Sequence, residues 1–499
     1  MDKIKIRPNV QTLMAVLLGL AVLLEIPARG NAEDEANKTK PLPFVRVSPR
    51  DARYLELSDG QPFIPIGLNL CWPPNGLSGD QGLEVMDRWL GELAANGGNM
   101  IRVWLGFNFY DVEHYKSGEY NEKKARQIDT LFALARKHGI RLKLTLENFR
   151  ELDPTTAYAK RTPIQVKAIH HVSQGGPAKS MDDWFTGDAS RQQFRRKLAW
   201  YAKRYGNDPI VFGWELWNEV NATQSKHYLP WTEEMLVELH RLFPQNLAMQ
   251  SLGSFDRDKV RDVYRTHSLL PGNDLAQVHR YLDLGAGLEV CHGPMDVLAA
   301  DAVRELLAFN PHKPVLLAES GAVEPNHAGS FKLYTKDKAG IILHDVLFAP
   351  FFAGAAGSGQ NWHWDHYVDR NHLWWHFARF AAAVKGLDPP AEAFEPSMLD
   401  HSHLRVYMLQ GRKTTILWCR DKENTWQTEL ANGIEPRTLA NISIDLGKNV
   451  RTGANHVRIY DPWADHWTET KLDEGVARLP SFQRSIVIRI ECPLKQILD

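Results

Sequence analysis

Cysteine is scarce in this chain. There are four in 499 residues, Cys71, Cys291, Cys419 and Cys492. They form no CxxC pair, and no HExxH run occurs, so neither a zinc cage nor a dithiol redox centre is expected. Spacing alone does not fix a disulfide pattern. An excess of either charge is also missing. Lys and Arg number 59 against 60 Asp and Glu, giving a formal net charge of −1. That balance excludes the electrostatic footprint of a nucleic-acid binder or of a protein held on an anionic membrane. Long apolar runs are absent except at the N-terminus. There Lys3, Lys5 and Arg7 precede an apolar stretch from Leu13 to Leu24, followed by Gly30-Asn31-Ala32. This is the order of a secretory signal peptide, and the run is short for a bilayer span. We expect a signal over 1–32, a polar lead-in over 33–43, a secreted or periplasmic location, and no stable membrane insertion after cleavage.

What the chain does have is alternation. Short apolar runs of strand length are followed by segments with helical spacing, eight times between residues 44 and 386. The runs are Phe63–Leu70, Met100–Leu105, Ile140–Leu146, Val211–Val220, Leu247–Ser251, Leu275–Val278, Pro314–Ala318 and Gln360–Trp364. Eight strand–helix units predict an α/β fold of the (β/α)8 or TIM-barrel type. The long stretch from Phe149 to Asp188 has little periodicity and reads as an insertion after the third strand. Residues 387–398, with Leu387-Asp388-Pro389-Pro390, read as a linker. From 399 to 499 the pattern changes to short alternating runs such as Thr414–Trp418 and Ser485–Ile490, which predict a small antiparallel β-sandwich.

The chemistry sits where two strands end. Val211-Phe212-Gly213-Trp214-Glu215-Leu216-Trp217-Asn218-Glu219 is an apolar run closing in an amide and a carboxylate, and Pro314 to Gly321 repeats the grammar with Glu319. The ends of barrel strands form the mouth, so Glu219 and Glu319 are expected to face one another there. Paired carboxyl groups about 5–5.5 Å apart can cleave a glycosidic bond with retention, one as acid and base and the other as nucleophile. We assign Glu219 the first role and Glu319 the second. Arg102 lies inside an apolar strand, where a cation needs a carboxylate partner; Glu319 is the expected one. Asn218 is a candidate for the sugar 2-hydroxyl, Tyr281 for donation to Glu319, and His279 for Glu219 or a sugar hydroxyl. Trp362 or Trp364 would be the floor beneath the reacting sugar, among sixteen tryptophans in all. Glu147 and Glu215 are expected to take no catalytic part.

Four features in order, Trp214-Glu215-Leu216-Trp217-Asn218-Glu219, Ala318-Glu319-Ser320-Gly321, Arg102 and His279-Arg280-Tyr281, make residues 63–384 resemble glycoside hydrolase family 5 and its relatives among the clan A retaining β-glycosidases. Arg102-Val103-Trp104 and the 214–219 run are similar to the endo-β-mannanase branch. The resemblance implies a TIM barrel, double displacement on a β-linked polysaccharide or oligosaccharide, mannan-type favoured, with the strand-four glutamate as acid/base, the strand-seven glutamate as nucleophile, and no cofactor. The His- and Asp-rich run Gln360-Asn361-Trp362-His363-Trp364-Asp365-His366-Tyr367 departs from the family pattern. An inactive carbohydrate-binding barrel and a transglycosylase are the alternative readings.

Overall fold

The computed structural model describes residues 41–161, 168–447 and 456–491. The expected signal peptide, most of the lead-in and Cys492 lie outside these residues. Among the described residues no helix is long and apolar enough to cross a membrane. Cys71, Cys291 and Cys419 are buried free thiols.

A two-stranded antiparallel ribbon, β1 (Val45–Val47) and β2 (Leu55–Leu57), comes first. Five strands then pair in parallel and in chain order: β3 (Gly67–Asn69), β4 (Met100–Trp104), β5 (Arg141–Glu147), β6 (Val211–Trp217) and β7 (Leu247–Met249). A further parallel pair follows, β8 (Ala276–Leu282) and β9 (Val315–Ala322). All residues of these seven strands are buried. Burial on both faces is why the runs read as continuously apolar rather than alternating. The helices that cover them are α1 (Gly79–Ala95), α2 (Glu122–His138), α3 (Asp188–Tyr205), α4 (Tyr228–Leu242), α5 (Arg261–Leu269), α6 (Met295–Ala308), α7 (Ile341–Phe352) and α8 (Trp375–Val384). Local signals set their ends. Ser78 and Gln81 form a reciprocal capping box on α1, and Asn121 caps α2, which stops at Gly139 in a left-handed conformation.

The eighth expected strand is shorter than its sequence suggests. Only Asn361 makes a bridge, to Ser320. The backbone N–H of Ser320 donates to Gln360 O (3.0 Å), and that of Asn69 on β3 donates to Asn361 O (3.0 Å). The chain then turns away, because Asn361 Oδ1 accepts the His363 N–H at 2.8 Å. Trp364–Asp369 form a single wide helical turn, so Trp362 and Trp364 do not share a strand face. Helix α5, the helix of the fifth unit, carries little apolar face of its own: its nine residues bury only Tyr264, His267 and Ser268. Described residues of the insertion after β5 pack more closely than its composition implies: Phe149, Leu152, Ala178, Met181, Trp184 and Phe185 join the core.

The C-terminal part is an antiparallel sheet of six strands, in the order β10 (Glu395–Leu399), β11 (Leu404–Gln410), β12 (Thr414–Asp421), β19 (Ser485–Glu491), β15 (His456–Asp461) and β16 (His466–Thr470). Two ribbons, β13 (Thr438–Leu439) with β18 (Phe482–Gln483) and β14 (Ser443–Asp445) with β17 (Val476–Arg478), make a smaller second layer. Period-two burial divides the sheet's side chains. Val406, Leu417, Ile459 and Ile488 face the ribbons. Tyr407, Leu409, Ile416, Trp418 and Val487 face the helical shell and share the main core. Residues 387–398 are no loose tether. Pro389–Glu392 are helical, Leu387 and Phe394 are buried, and Glu395 already begins β10.

The join is polar as well as apolar. Trp418 stacks on Phe348 of α7 with centroids 5.7 Å apart. Fully buried Arg420 donates to Asp345 Oδ1 at 2.8 Å, also on α7. Removing one partner of a buried pair leaves a charge stranded. Arg420→Met is therefore expected to cost about 3–5 kcal/mol of stability, read as a lower urea midpoint; an unchanged midpoint would show that the pair contributes nothing at this seam.

Candidate active site

The site is built on a polar layer inside the parallel strands. Register places Asn69 beside Arg102, Arg102 beside Lys143, and Thr145 beside Glu215. Arg102 is completely buried, and its guanidinium donates to Glu319 Oε2 (2.6 Å), Glu215 Oε1 (2.5 Å), Asn218 Oδ1 (2.7 Å), Thr145 Oγ1 (3.2 Å) and Asn69 Oδ1 (3.3 Å). The expected Arg102–Glu319 pair is present. Glu215 is the partner that sequence reasoning passed over. It also meets Lys143 Nζ at 2.9 Å, Ser251 Oγ at 3.0 Å and Thr145 Oγ1 at 3.1 Å. Burial opposes the charge of Glu215, but Arg102 and Lys143 outweigh it and hold this carboxyl well below the usual carboxylate range.

Glu319 lies within β9 rather than past its end. Its Oε1 accepts from the Tyr281 hydroxyl at 2.7 Å, and burial first and Glu319 second push that phenol far up, so Tyr281 stays a donor. Gly321, two residues on, has φ 141°, and a Cβ there would stand 2.8 Å from Tyr334 Oη. Only glycine lets the backbone pass so close to that phenol.

Glu219 follows β6 in a left-handed conformation, φ 56° and ψ 56°. A non-glycine residue held there is strained by about 1–3 kcal/mol, and such strain collects at functional positions. The turn is held by Arg150, which donates to Asn218 O (2.7 Å), Glu219 O (2.8 Å) and Glu219 Oε2 (2.6 Å). His279 Nδ1 is 2.9 Å from Glu219 Oε1 and 3.7 Å from Glu319 Oε2. Burial works against the charge on Glu219, yet Arg150 and His279 overcome it and keep this carboxyl well below its ordinary range. One oxygen from each of Glu219 and Glu319 and one nitrogen of His279 all lie within 4.8 Å of one another. Three such donors could ligate a cation, but Arg102 and Arg150 already neutralise the two carboxylates. A second buried group, Glu113, Glu147 and His170, is likewise served by a protein cation: Lys197 lies 3.0 Å from Glu113 and 2.5 Å from Glu147.

Of the two candidate tryptophans, Trp364 is buried, and Trp72 abuts it edge-on at 5.0 Å. Trp362 is half-buried and packs on Trp104 at 5.1 Å and Trp72 at 5.8 Å. Glu219, Glu319, Arg102, Asn218, His279 and Tyr281 thus form one connected network, with Trp362 part of an adjoining aromatic group. Sequence reasoning missed Glu215, Lys143 and Arg150. A cation within a strand, as at Lys143, was the available signal for the first two. Arg150 sits in an irregular loop and gave none.

No family model matches this sequence. Relatives do. It is 24% identical over 344 residues to mannan endo-1,4-beta-mannosidase 7 of Arabidopsis thaliana, covering 61% of this chain and 74% of that protein. It is 25% identical over 373 residues to putative mannan endo-1,4-beta-mannosidase 9 of Oryza sativa subsp. japonica, covering 70% and 86%. Among solved structures, the fold is shared with a protein described as a glycoside hydrolase (TM-score 0.58, 14% identity, 91% of this chain and 98% of that one). It is also shared with a glycoside hydrolase family 5 protein from Bacteroides vulgatus (TM-score 0.55, 14% identity, 91% and 94%). The chain is thus glycoside hydrolase family 5-like, and among curated proteins it is similar to the endo-β-mannanase branch.

Two outcomes test the polar layer. Arg102→Met strands Glu215 and Glu319 and is expected to destabilise by about 3–5 kcal/mol in urea denaturation, with Arg102→Lys recovering only part. Glu215 has a folded pKa below its unfolded value of about 4.3. Its contribution is therefore full above that value and lost as pH falls through the folded pKa. Unfolding free energy measured against pH should fall on acidification, and Glu215→Gln should flatten that slope; an equal slope in both proteins would contradict the assignment.

Proposed function

We propose that this protein hydrolyses a β-linked, mannan-type polysaccharide or oligosaccharide with retention, using Glu319 as nucleophile and Glu219 as acid and base. The observation that supports it best is the approach of the two carboxylates to within 4.8 Å. That suits direct attack, whereas inversion needs about 6.5–9.5 Å to admit a water. The likeness to mannan endo-1,4-beta-mannosidases supports the substrate class. We read the two parallel sheets and the 360–362 segment as arcs of one closed (β/α)8 barrel. Hydrogen bonds from Asn69 and Ser320 to that segment support the closure. Export to the periplasm or the medium, suggested by the N-terminal pattern, belongs to the same proposal.

In the first step Glu319 attacks the anomeric carbon while Glu219 gives its proton to the departing oxygen. A glycosyl ester on Glu319 and a shortened sugar result. In the second step Glu219 takes a proton from water, the water oxygen attacks the same carbon, and the Glu319 ester bond breaks. Each carboxyl ends as it began. Arg102 and Tyr281 aim Glu319 and disperse its charge. Asn218 turns its oxygen to Arg102, so its NH2 is the group available to a sugar hydroxyl. Trp362, the more exposed of the tryptophan pair, is the better floor for the sugar.

Glu319→Ala is expected to abolish turnover of mannan, and azide should then yield an α-glycosyl azide from an activated aryl β-mannobioside. Glu219→Ala should slow mannan cleavage about 10²–10⁴-fold, with a much smaller loss on a dinitrophenyl glycoside and a β-azide product. Proton NMR of the first-formed sugar should show the β anomer. An α anomer first, or undiminished Glu319→Ala activity, would defeat the proposal. Wild-type turnover separates it from an inactive binding barrel, and water against sugar as acceptor separates it from a transglycosylase.

A further inference from the structure

The residue that touches the proposed acid/base most closely is one the reaction scheme above does not use. Arg150 is buried beside Glu219 and makes three bonds to the Asn218–Glu219 turn, one of them to the carboxylate itself. The backbone bonds hold the guanidinium in place, so its charge cannot drift from Glu219 as a surface arginine's would. The other groups facing Glu219 are few. Ser251, after β7, accepts the Glu219 N–H at 3.2 Å. His279 on β8 faces it at 2.9 Å, and its Nε2 has no partner among the described residues. An ionised carboxylate only accepts, so the Nδ1 atom facing Glu219 is the donor of that contact. Glu319 on β9 is the nearby carboxylate, with its charge drawn toward Arg102 and Tyr281. Tyr281 and Tyr264, on β8 and α5, and His327, held by Asp283 at 2.8 Å, complete the surround.

A group that must deliver a proton is ordinarily kept protonated by an apolar surround or an uncompensated neighbouring carboxylate. Here a fixed cation lies on it instead. We propose that Arg150 is a positioning residue that keeps Glu219 in its proton-accepting form, so that protonation of the leaving oxygen, not breakdown of the glycosyl–enzyme, is the half of the reaction that fails first as pH rises. The inference rests on the acid/base reading of Glu219. Its consequence has a definite sign. Glycosylation needs the protonated carboxyl, so a depressed pKa moves the alkaline limb of kcat/KM to low pH. Deglycosylation needs the ionised carboxyl and is served by the same arginine.

The test uses the full chain with Arg150→Gln, which can still donate to the backbone carbonyls, and Arg150→Lys, which keeps the charge. Two readouts are taken. One is the ¹³C NMR titration of the Glu219 carboxyl, identified by its loss in Glu219→Gln. The other is the pH profile of kcat/KM on phenyl and 2,4-dinitrophenyl β-mannobiosides. Removing an adjacent guanidinium should raise the carboxyl midpoint by about 1–3 units. The alkaline limb for the phenyl substrate should move up equally, with little change for the dinitrophenyl one, whose leaving group needs no proton. Arg150→Lys should restore much of the wild-type profile. A wild-type Glu219 midpoint at or above about 4.3, the usual glutamate value, overturns the proposal without any variant. So does a midpoint unmoved in Arg150→Gln. A midpoint that moves while the phenyl limb does not overturns it differently, by showing that Glu219 is not the acid.

Discussion

One guanidinium organises the interior. Arg102 has no exposed surface and cannot shed its proton, so the structure must bring acceptors to it from several directions. It takes them from β3, β5, β6, the turn after β6, and β9. Desolvating that many charges is costly, and an apolar layer of equal volume would be as stable or more so. What the layer gives is position. The fork of Arg102 fixes where the Glu319 carboxylate points and ties it to Asn218, the residue that leads into Glu219.

From that fixed point the two carboxylates diverge in surroundings. Glu319 is nearly dry and held by a guanidinium and a phenol. Glu219 is somewhat more open, its side chain 15% exposed, on a strained turn held by a loop arginine and an imidazole. Two acids of one chemical type are thereby given different neighbours by different strands. Both are held by cations, so what separates them is which cation and how firmly, not one charged and one apolar surround.

Much of this was legible in the chain itself. Strands buried on both faces announce themselves as apolar runs, and a charged residue within such a run announces a buried partner. Arg102, Glu219 and Glu319 could be found that way. The eighth strand misled because Gln360–Trp364 has strand composition, while a side chain–backbone bond at Asn361 ends the extended path after one bridge. Glu215 misled because nothing in its own strand shows that it meets Arg102 and Lys143 in the layer beneath the mouth. Arg150 was invisible. Its partners are two backbone carbonyls and the Glu219 carboxylate past another strand's end, and nothing in an irregular loop encodes such a meeting locally.

The six-stranded sheet has a consequence for the molecule's history. A module joined by a tether can be gained, lost or exchanged between proteins without disturbing its neighbour. This one lays one face of its central strands on the helical shell, with Trp418 on Phe348 and Asp345 gripped by Arg420. The described residues from 43 onward form one compact unit. Truncating the chain at residue 386 would expose the outer face of α7 to water, so the described C-terminal strands and the helix they cover are expected to unfold together.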